Sequence, residues 1–272
     1  MSTAMVDPYA RADAPGRFLY ALNPLAKLAA PVPAMVVLVF TRDHLTPLLF
    51  LALAYVLLIA GARLNRLLAL LLLVALPVTV AVVGLGMTLW TDPAKVADTP
   101  VLVTVGAWSL HTGALSVGFA TGLRMAAIIA LALVAGLTTN GPDLVRAGVQ
   151  QLRVPYRIGY TALAAFRFVP RFGYELDVIR QAHRVRGAHG GRGPFAAAAR
   201  WWGYVVPLLA GGIRHAERVA LAMDARAFGA HADRTERHLV PWRGVDTAFV
   251  IVFWVVSAVI LAALFPWTAV TG

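Results

Sequence analysis

Two arginines, at positions 186 and 226 and so forty residues apart, sit in matching surroundings: Val185-Arg186-Gly187 and Ala225-Arg226-Ala227. The match runs backwards from them, with Asp177 against Glu217, Ile179 against Val219 and Ala182 against Ala222. A guanidinium presents a planar fork of donors that grips a carboxylate in bidentate fashion. Small neighbouring residues let a helix end approach another surface closely. Two such tips point to a bivalent plug for two equivalent acidic sockets. The same residues also fit ordinary helix C-termini, where Arg favours the dipole and Gly supplies the turn that follows.

Other chemistry is sparse. No Gly-x-x-x-x-Gly-Lys-Ser/Thr run is present, so the chain holds no nucleotide by a P-loop. The Gly-rich stretch from Gly187 to Gly193, with His189 and Arg192, reads as a flexible connector, with anion binding as the weaker alternative. The seven His are scattered, and none forms an i, i+4 pair with a partner acid. There are no cysteines, which excludes disulfides, thiolate nucleophiles and Cys-type zinc sites. No catalytic residue and no metal ligand is therefore expected. Arg124 is different, because it lies inside an apolar run where charge is costly and is usually paired or turned toward protein. It reads either as a contact to a partner or proton relay, or as a packing arginine.

The elements that must carry these residues are set by composition. Hydrophobic residues make up 60% of the 272, and charged residues only 14%. A soluble chain is about half apolar and a quarter charged, so a soluble enzyme, a disordered chain and a fibrous repeat are excluded. Apolar runs extend over Leu28–Phe40, Leu45–Ala62, Leu67–Trp90, about Gly113–Leu137, and Phe249–Ala269 with a break at Pro266. A span needs about 20 apolar residues. The third, fourth and last runs meet that, while Leu28–Phe40 must extend back past Lys27. About five membrane helices follow. The N-terminus, Met1–Ala26, is mixed and polar without a signal-peptide pattern. Basic residues set orientation. The segment from Gly141 to Gly244 holds 16 of the 22 arginines, and the Thr91–Pro100 loop holds Lys95 against Asp92 and Asp98. The basic segment is therefore placed in the cytoplasm, with the N-terminus inside. The formal charge of +11, with Trp201, Trp202 and Trp242, fits anchoring at the bilayer surface better than nucleic acid.

The basic segment opens at Thr138-Thr139-Asn140-Gly141-Pro142-Asp143, which suits a helix start. Asp143–Arg153 reads as a short amphipathic helix, ended at Val154-Pro155. Tyr156–Val169 is apolar and lies at the interface or inserts partway. Pro170 then forces a bend. Two amphipathic helices follow, Arg171–Gly187 and about Tyr204–Ala227.

Together these features resemble the T component of energy-coupling factor (ECF) transporters, the family that includes the cobalt-transport permease type. The similarity covers roughly Asn23 to Gly229. Asn23-Pro24-Leu25-Ala26-Lys27-Leu28 is similar to the family's opening motif at Pro24, Lys27 and Leu28, while Leu25 and Ala26 depart from it. Phe166-Arg167-Phe168-Val169-Pro170, with Glu175, resembles its Arg-Phe-x-Pro bend. Ala182–Gly187 and Ala222–Gly229 resemble its two Ala-Arg-Gly signatures. Val185 replaces Ala in the first and Ala227 replaces Gly in the second, and both keep the arginine.

What the resemblance implies is an all-α polytopic membrane protein that is not itself a catalyst. It would consist of a cytoplasmic N-terminal segment (1–26), a transmembrane bundle (27–139), a cytoplasmic or interfacial coupling region (140–244) and a C-terminal membrane helix (245–272). Two coupling helices would carry Val185-Arg186-Gly187 and Ala225-Arg226-Ala227 into grooves on two cytoplasmic ATPase subunits, which would hold ATP and Mg. A small membrane S component would capture the vitamin or metal ion. The rival readings are a membrane-embedded lipid-modifying enzyme and an ABC permease that binds substrate itself.

Overall fold

A computed structural model describes residues 17–63, 65–92, 96, 98–105, 108–187, 193–231 and 235–266. The polar segment before residue 17, Lys95, and the connector residues 188–192 with His189 and Arg192 lie outside the described residues. The chain divides into two compact units. One spans Val145–Val240. The other takes Arg11–Leu144 and Pro241–Gly272.

The larger unit begins with three short helices, α1 (Phe18–Ala21), α2 (Pro24–Ala29) and α3 (Pro31–Leu38). Asn23 caps α2 by accepting a hydrogen bond from the Leu25 amide at 2.9 Å, and Pro24 supplies the preset φ of a first turn. The first apolar run is thus two helices rather than one. Pro31 and Pro33 lack the amides that would continue the ladder from α2. α4 covers Leu45–Gly61. A longer rod follows, with α5 (Arg66–Leu70), a π-helical turn (Leu71–Ala75) and α6 (Leu76–Trp90). The wide turn precedes Pro77, which cannot donate back to the preceding turn. The Tyr55 hydroxyl donates to the Leu72 carbonyl within it.

α7 (Thr112–Thr138) is the centre of this unit and packs against α2, α3, α4 and α6. Its buried face toward α6 is a stripe of small residues at every fourth position: Ala114, Gly118, Gly122, Ala126 and Ala130. A Cβ at Gly122 would lie 2.5 Å from the Val80 carbonyl oxygen, and one at Gly118 would strike the Thr88 hydroxyl. Small residues of this kind let membrane helices approach backbone to backbone. α11 (Gly244–Ala263) packs on α2, α3 and α4. It starts five residues before the apolar run does, because the Asp246 carboxylate in its first turn accepts from the Arg243 amide at 2.7 Å, and it stops before Pro266. Leu19, Leu38, Phe50, Leu58 and Leu131 fill the core.

Among the described residues, three helical stretches are long and apolar enough to cross a bilayer: Arg66–Trp90, Thr112–Thr138 and Gly244–Ala263. Pro24–Leu38 and Leu45–Gly61 are apolar but shorter. Large apolar side chains such as Leu73, Val82 and Val259 stand exposed on these helices, as a lipid-facing surface requires. The fold is that of an all-α polytopic membrane protein. One element departs from it, an antiparallel hairpin of β1 (Val101–Val105) and β2 (Trp108–His111) joining α6 to α7.

After α8 (Gly141–Gln151), the second unit is dominated by α9 (Tyr156–Val185) and α10 (Pro194–Asp224). Both are longer than their sequence patterns indicate. Pro170 does not separate two helices: α9 runs through it. Helical turns flank it on both sides, and the Phe168 and Phe172 rings bridge it at 4.3 Å between centroids. These contacts hold the segment despite the one missing backbone bond. α10 starts ten residues before Tyr204 and carries Pro207 inside it. Side chains of α8 hold the chain beyond α10. Gln150 donates to the His238 carbonyl at 2.8 Å and accepts from the Val240 amide at 2.9 Å, and Gln151 donates to the Val240 carbonyl at 2.8 Å.

Candidate functional site

α9 and α10 run antiparallel, as their side-chain pairs show. Phe168 stacks on His215 with centroids 4.3 Å apart, Phe172 faces Gly212, Glu175 faces Gly211, and His183 meets Tyr204 edge-on at 5.2 Å. As numbers rise along α9 they fall along α10. Gly211 and Gly212 give room for the Glu175 carboxylate and the Phe172 ring, since a Cβ on Gly211 would lie 2.9 Å from Glu175 Oε2. Arg171 pairs with Glu175 at 3.5 Å, one turn away.

The two arginine tips share a left-handed residue just after the arginine and the hydrogen bond that its amide makes back to the helix. At the end of α10, the Ala227 amide donates to the Asp224 carbonyl at 2.9 Å and the Phe228 amide to the Met223 carbonyl at 3.0 Å. That is a Schellman turn, which needs a left-handed residue just after the helix. Ala227 fills that position at φ 55°. At the end of α9, the Gly187 amide donates to the Arg184 carbonyl at 3.1 Å, and Gly187 sits at φ 69°. Ala227 therefore adopts the conformation that Gly187 adopts, at a cost of about 1–2 kcal/mol for its Cβ. Arg186 and Arg226 each occupy the position before the left-handed residue. Both are exposed, as are Gly187, Ala225, Ala227 and Val185, the last at 89% of its full surface.

Because the helices are antiparallel, the tips lie at opposite ends of the pair. Thirty residues of α9 at 1.5 Å each separate them by at most about 45 Å. The Arg226 tip is tied down on the first turns of α9. Arg157 donates to the Gly229 carbonyl at 2.7 Å and the Tyr156 hydroxyl to the His231 carbonyl at 2.7 Å. The Phe228 ring lies edge-on between Tyr156 and Tyr160, at 5.7 and 6.3 Å, and the Tyr160 hydroxyl donates to Glu236 at 2.8 Å. These anchors were not singled out from the sequence. The i, i+4 spacing of Tyr156 and Tyr160 was the available signal.

The remaining candidates lie elsewhere. Arg167 is an exposed residue of α9, one turn before Pro170. Pro24 opens α2, and Lys27 is 1% exposed, with its ammonium donating to the Thr138 carbonyl at 2.7 Å. Lys27 thus meets the negative end of the α7 dipole. The Asp246 carboxylate accepts from the Asn23 amide at 2.6 Å and the Arg243 amide at 2.7 Å, joining the starts of α2 and α11. Arg124 of α7 donates to the Val39 and Thr41 carbonyls at 3.0 Å and to the Thr121 hydroxyl at 3.0 Å, so it takes up the backbone acceptors that follow α3. Among the described residues, no group of three or more His, Asp or Glu stands placed to hold a metal ion.

The chain is similar to known proteins. An energy-coupling factor transporter transmembrane protein (EcfT) from Limosilactobacillus fermentum is 26% identical over 260 residues, covering 90% of this chain and 92% of the relative. The EcfT of Bacillus subtilis is 28% identical over 174 residues, 61% of this chain and 63% of the relative. The EcfT of Thermotoga maritima is 33% identical over 121 residues, 44% of each chain. The chain thus spans less than two thirds of the length of the Bacillus and Thermotoga relatives. The family described as cobalt transport protein (CbiQ) matches residues 15–238, an interval that holds the Pro24–Lys27 corner, Arg124, the antiparallel helix pair and both arginine tips. The chain belongs to the CbiQ cobalt transport protein family.

Proposed function

We propose that this chain is the T component of an ECF-type ABC importer, a non-catalytic scaffold in the cell membrane that couples two cytoplasmic ATPase subunits to a small substrate-binding S component. ATP and Mg belong to the ATPases, and the S component takes the vitamin or transition-metal ion. The observation that carries this reading is the pair of exposed arginines, Arg186 and Arg226, each just before a left-handed residue that closes its helix, at opposite ends of one antiparallel helix pair. A two-pronged fork of that span fits two equivalent sockets better than one. Each guanidinium docks a carboxylate in one ATPase subunit. The arginine-rich segment that carries them supports its placement in the cytoplasm, and the names of the relatives support the transporter class.

The test is co-purification with the two ATPase subunits. Breaking one partner of a desolvated charge pair costs about 2–5 kcal/mol, or about 30-fold or more in affinity. Arg186→Ala and Arg226→Ala each weaken recovery of the ATPases, and the double change nearly abolishes uptake. The lysine variants keep the charge but lose the bidentate fork, and fall between. A double alanine variant that assembles and transports like the natural chain rejects the docking role. Substrate binding by the chain alone would point to a permease, and lipid turnover by it to an enzyme.

A further inference from the structure

The hairpin between α6 and α7 has a surface that water does not suit. Val101, Leu102 and Val103 follow one another on β1, and each is about half exposed, at 50%, 50% and 49%. Val101 pairs with His111 and Val103 with Leu110, so Leu102 stands at a β-bulge between them. A two-stranded hairpin is marginally stable alone, yet this one is clamped at its base. The Thr112 amide donates to the Pro100 carbonyl at 3.0 Å, the Gly113 amide to the Thr99 hydroxyl at 3.1 Å, and His111 Nδ1 lies 3.0 Å from the Thr99 carbonyl oxygen. Among the described residues the sheet has two strands, so each strand has an outer edge.

Two demands then limit where the hairpin lies. Its edges need water, because open sheet edges do not occur in the hydrocarbon region. Its apolar run needs a low-polarity surface. The headgroup zone meets both. The flanking rods set the depth of the base. Arg66–Trp90 and Thr112–Thr138 have 25 and 27 residues, about 38–40 Å at 1.5 Å per residue, and so overreach a hydrocarbon core of about 30 Å. Trp90, the last residue of α6, is 86% exposed, as an interfacial tryptophan is. The exposed apolar surface of α6 runs through Leu85 and Leu89 to Trp90 at its end. We propose that the β1–β2 hairpin is a lipid-contacting element, lying in the headgroup zone of the bilayer with Val101, Leu102 and Val103 against the acyl boundary.

The chain has no cysteine, so a single introduced thiol reports one position. Leu102→Cys and, separately, Thr104→Cys carry an environment-sensitive fluorophore in the full-length protein, reconstituted in nanodiscs of neutral phospholipid. The fluorophore at 102 emits to the blue of the same dye on glutathione, and lipids with a shallow nitroxide quench it more than lipids with a deep one. Aqueous iodide quenches it to about half or less of the glutathione adduct's extent, as for a group held at the acyl boundary. The 104 label follows the same order and guards against a local effect of losing Leu102. Full iodide quenching without nitroxide quenching overturns the proposal, since the hairpin then stands in water. Protection from both quenchers also overturns it, because protein rather than lipid then covers the strand. Stronger quenching from the deep nitroxide overturns the interfacial depth.

Discussion

Asp246 is the corner on which two helix starts depend, and its removal has a calculable effect. The carboxylate is 2% exposed and accepts two backbone amides, Asn23 at 2.6 Å and Arg243 at 2.7 Å. Asn23 is the cap of α2, and Arg243 that of α11. A hydrogen bond to a charged group contributes about 1.5–3 kcal/mol, and a buried donor left without a partner costs a similar amount. The Asn23 bond is buried, so Asp246→Ala loses it in full. The Arg243 amide is partly buried, so water recovers some of the second. The expected loss is about 3–4 kcal/mol. At roughly 2–4 °C per kcal/mol for a chain of this size, Tm falls by roughly 6–16 °C. Asp246→Asn keeps one acceptor and loses about half as much. The control is Asp177→Ala, which removes an exposed pair with Arg180 and shifts Tm little. Tryptophan fluorescence during heating in detergent reads all three. If Asp246→Ala melts within about 2 °C of the natural chain, the carboxylate does not hold the two helix starts, and the account of this corner is wrong.

Lys27→Met leaves the Thr138 carbonyl at the end of α7 without its charged donor and lowers stability by about 1.5–3 kcal/mol. Combined with Asp246→Ala, the effects are non-additive in the same melting assay, because both groups fix one short helix. Gly122→Ala forces α6 and α7 apart, since the new Cβ would sit 2.5 Å from the Val80 carbonyl oxygen, whereas Gly86→Ala enters open space and gains about 0.5–1 kcal/mol of helix stability. A melt in which both variants behave alike would contradict the close contact. Ala227→Gly relieves about 1–2 kcal/mol of left-handed strain and gives back about 0.4–1 kcal/mol in unfolded-chain entropy. It therefore stabilises slightly, while Gly187→Ala destabilises. Opposite signs in thermal unfolding are the expected result.

Particular residues show how far sequence reading reaches here. The run from Leu67 to Trp90 was legible as a span because twenty-four residues without a charge leave no other solvent for it. The arginine echo was legible because a repeated pattern of charge and apolar spacing survives without any tertiary contact. Pro170 marks the place where one helix reads as two segments, because a proline removes one backbone bond, but the turns on both sides and the Phe168–Phe172 contact carry α9 through it. The β hairpin was missed, since Val101–Val105 is a short apolar strand whose partner lies across a turn. Ala227 looked like a departure from a glycine position, but the left-handed backbone there is imposed by the helix closure around it.

Composition and local periodicity alone determined that this is a membrane protein, which stretches are long enough to cross, and that two arginines end matching helices. Those properties belong to residues near one another along the chain. The tertiary structure alone decided that α10 returns along α9, so that Phe228 and Gly229 land on Tyr156 and Arg157 and the two tips lie at opposite ends of the pair. It alone brought Asp246 to Asn23 across 223 positions, and Lys27 to Thr138 across 111. Such pairings depend on which surfaces pack, and no local pattern of residues records its distant partner.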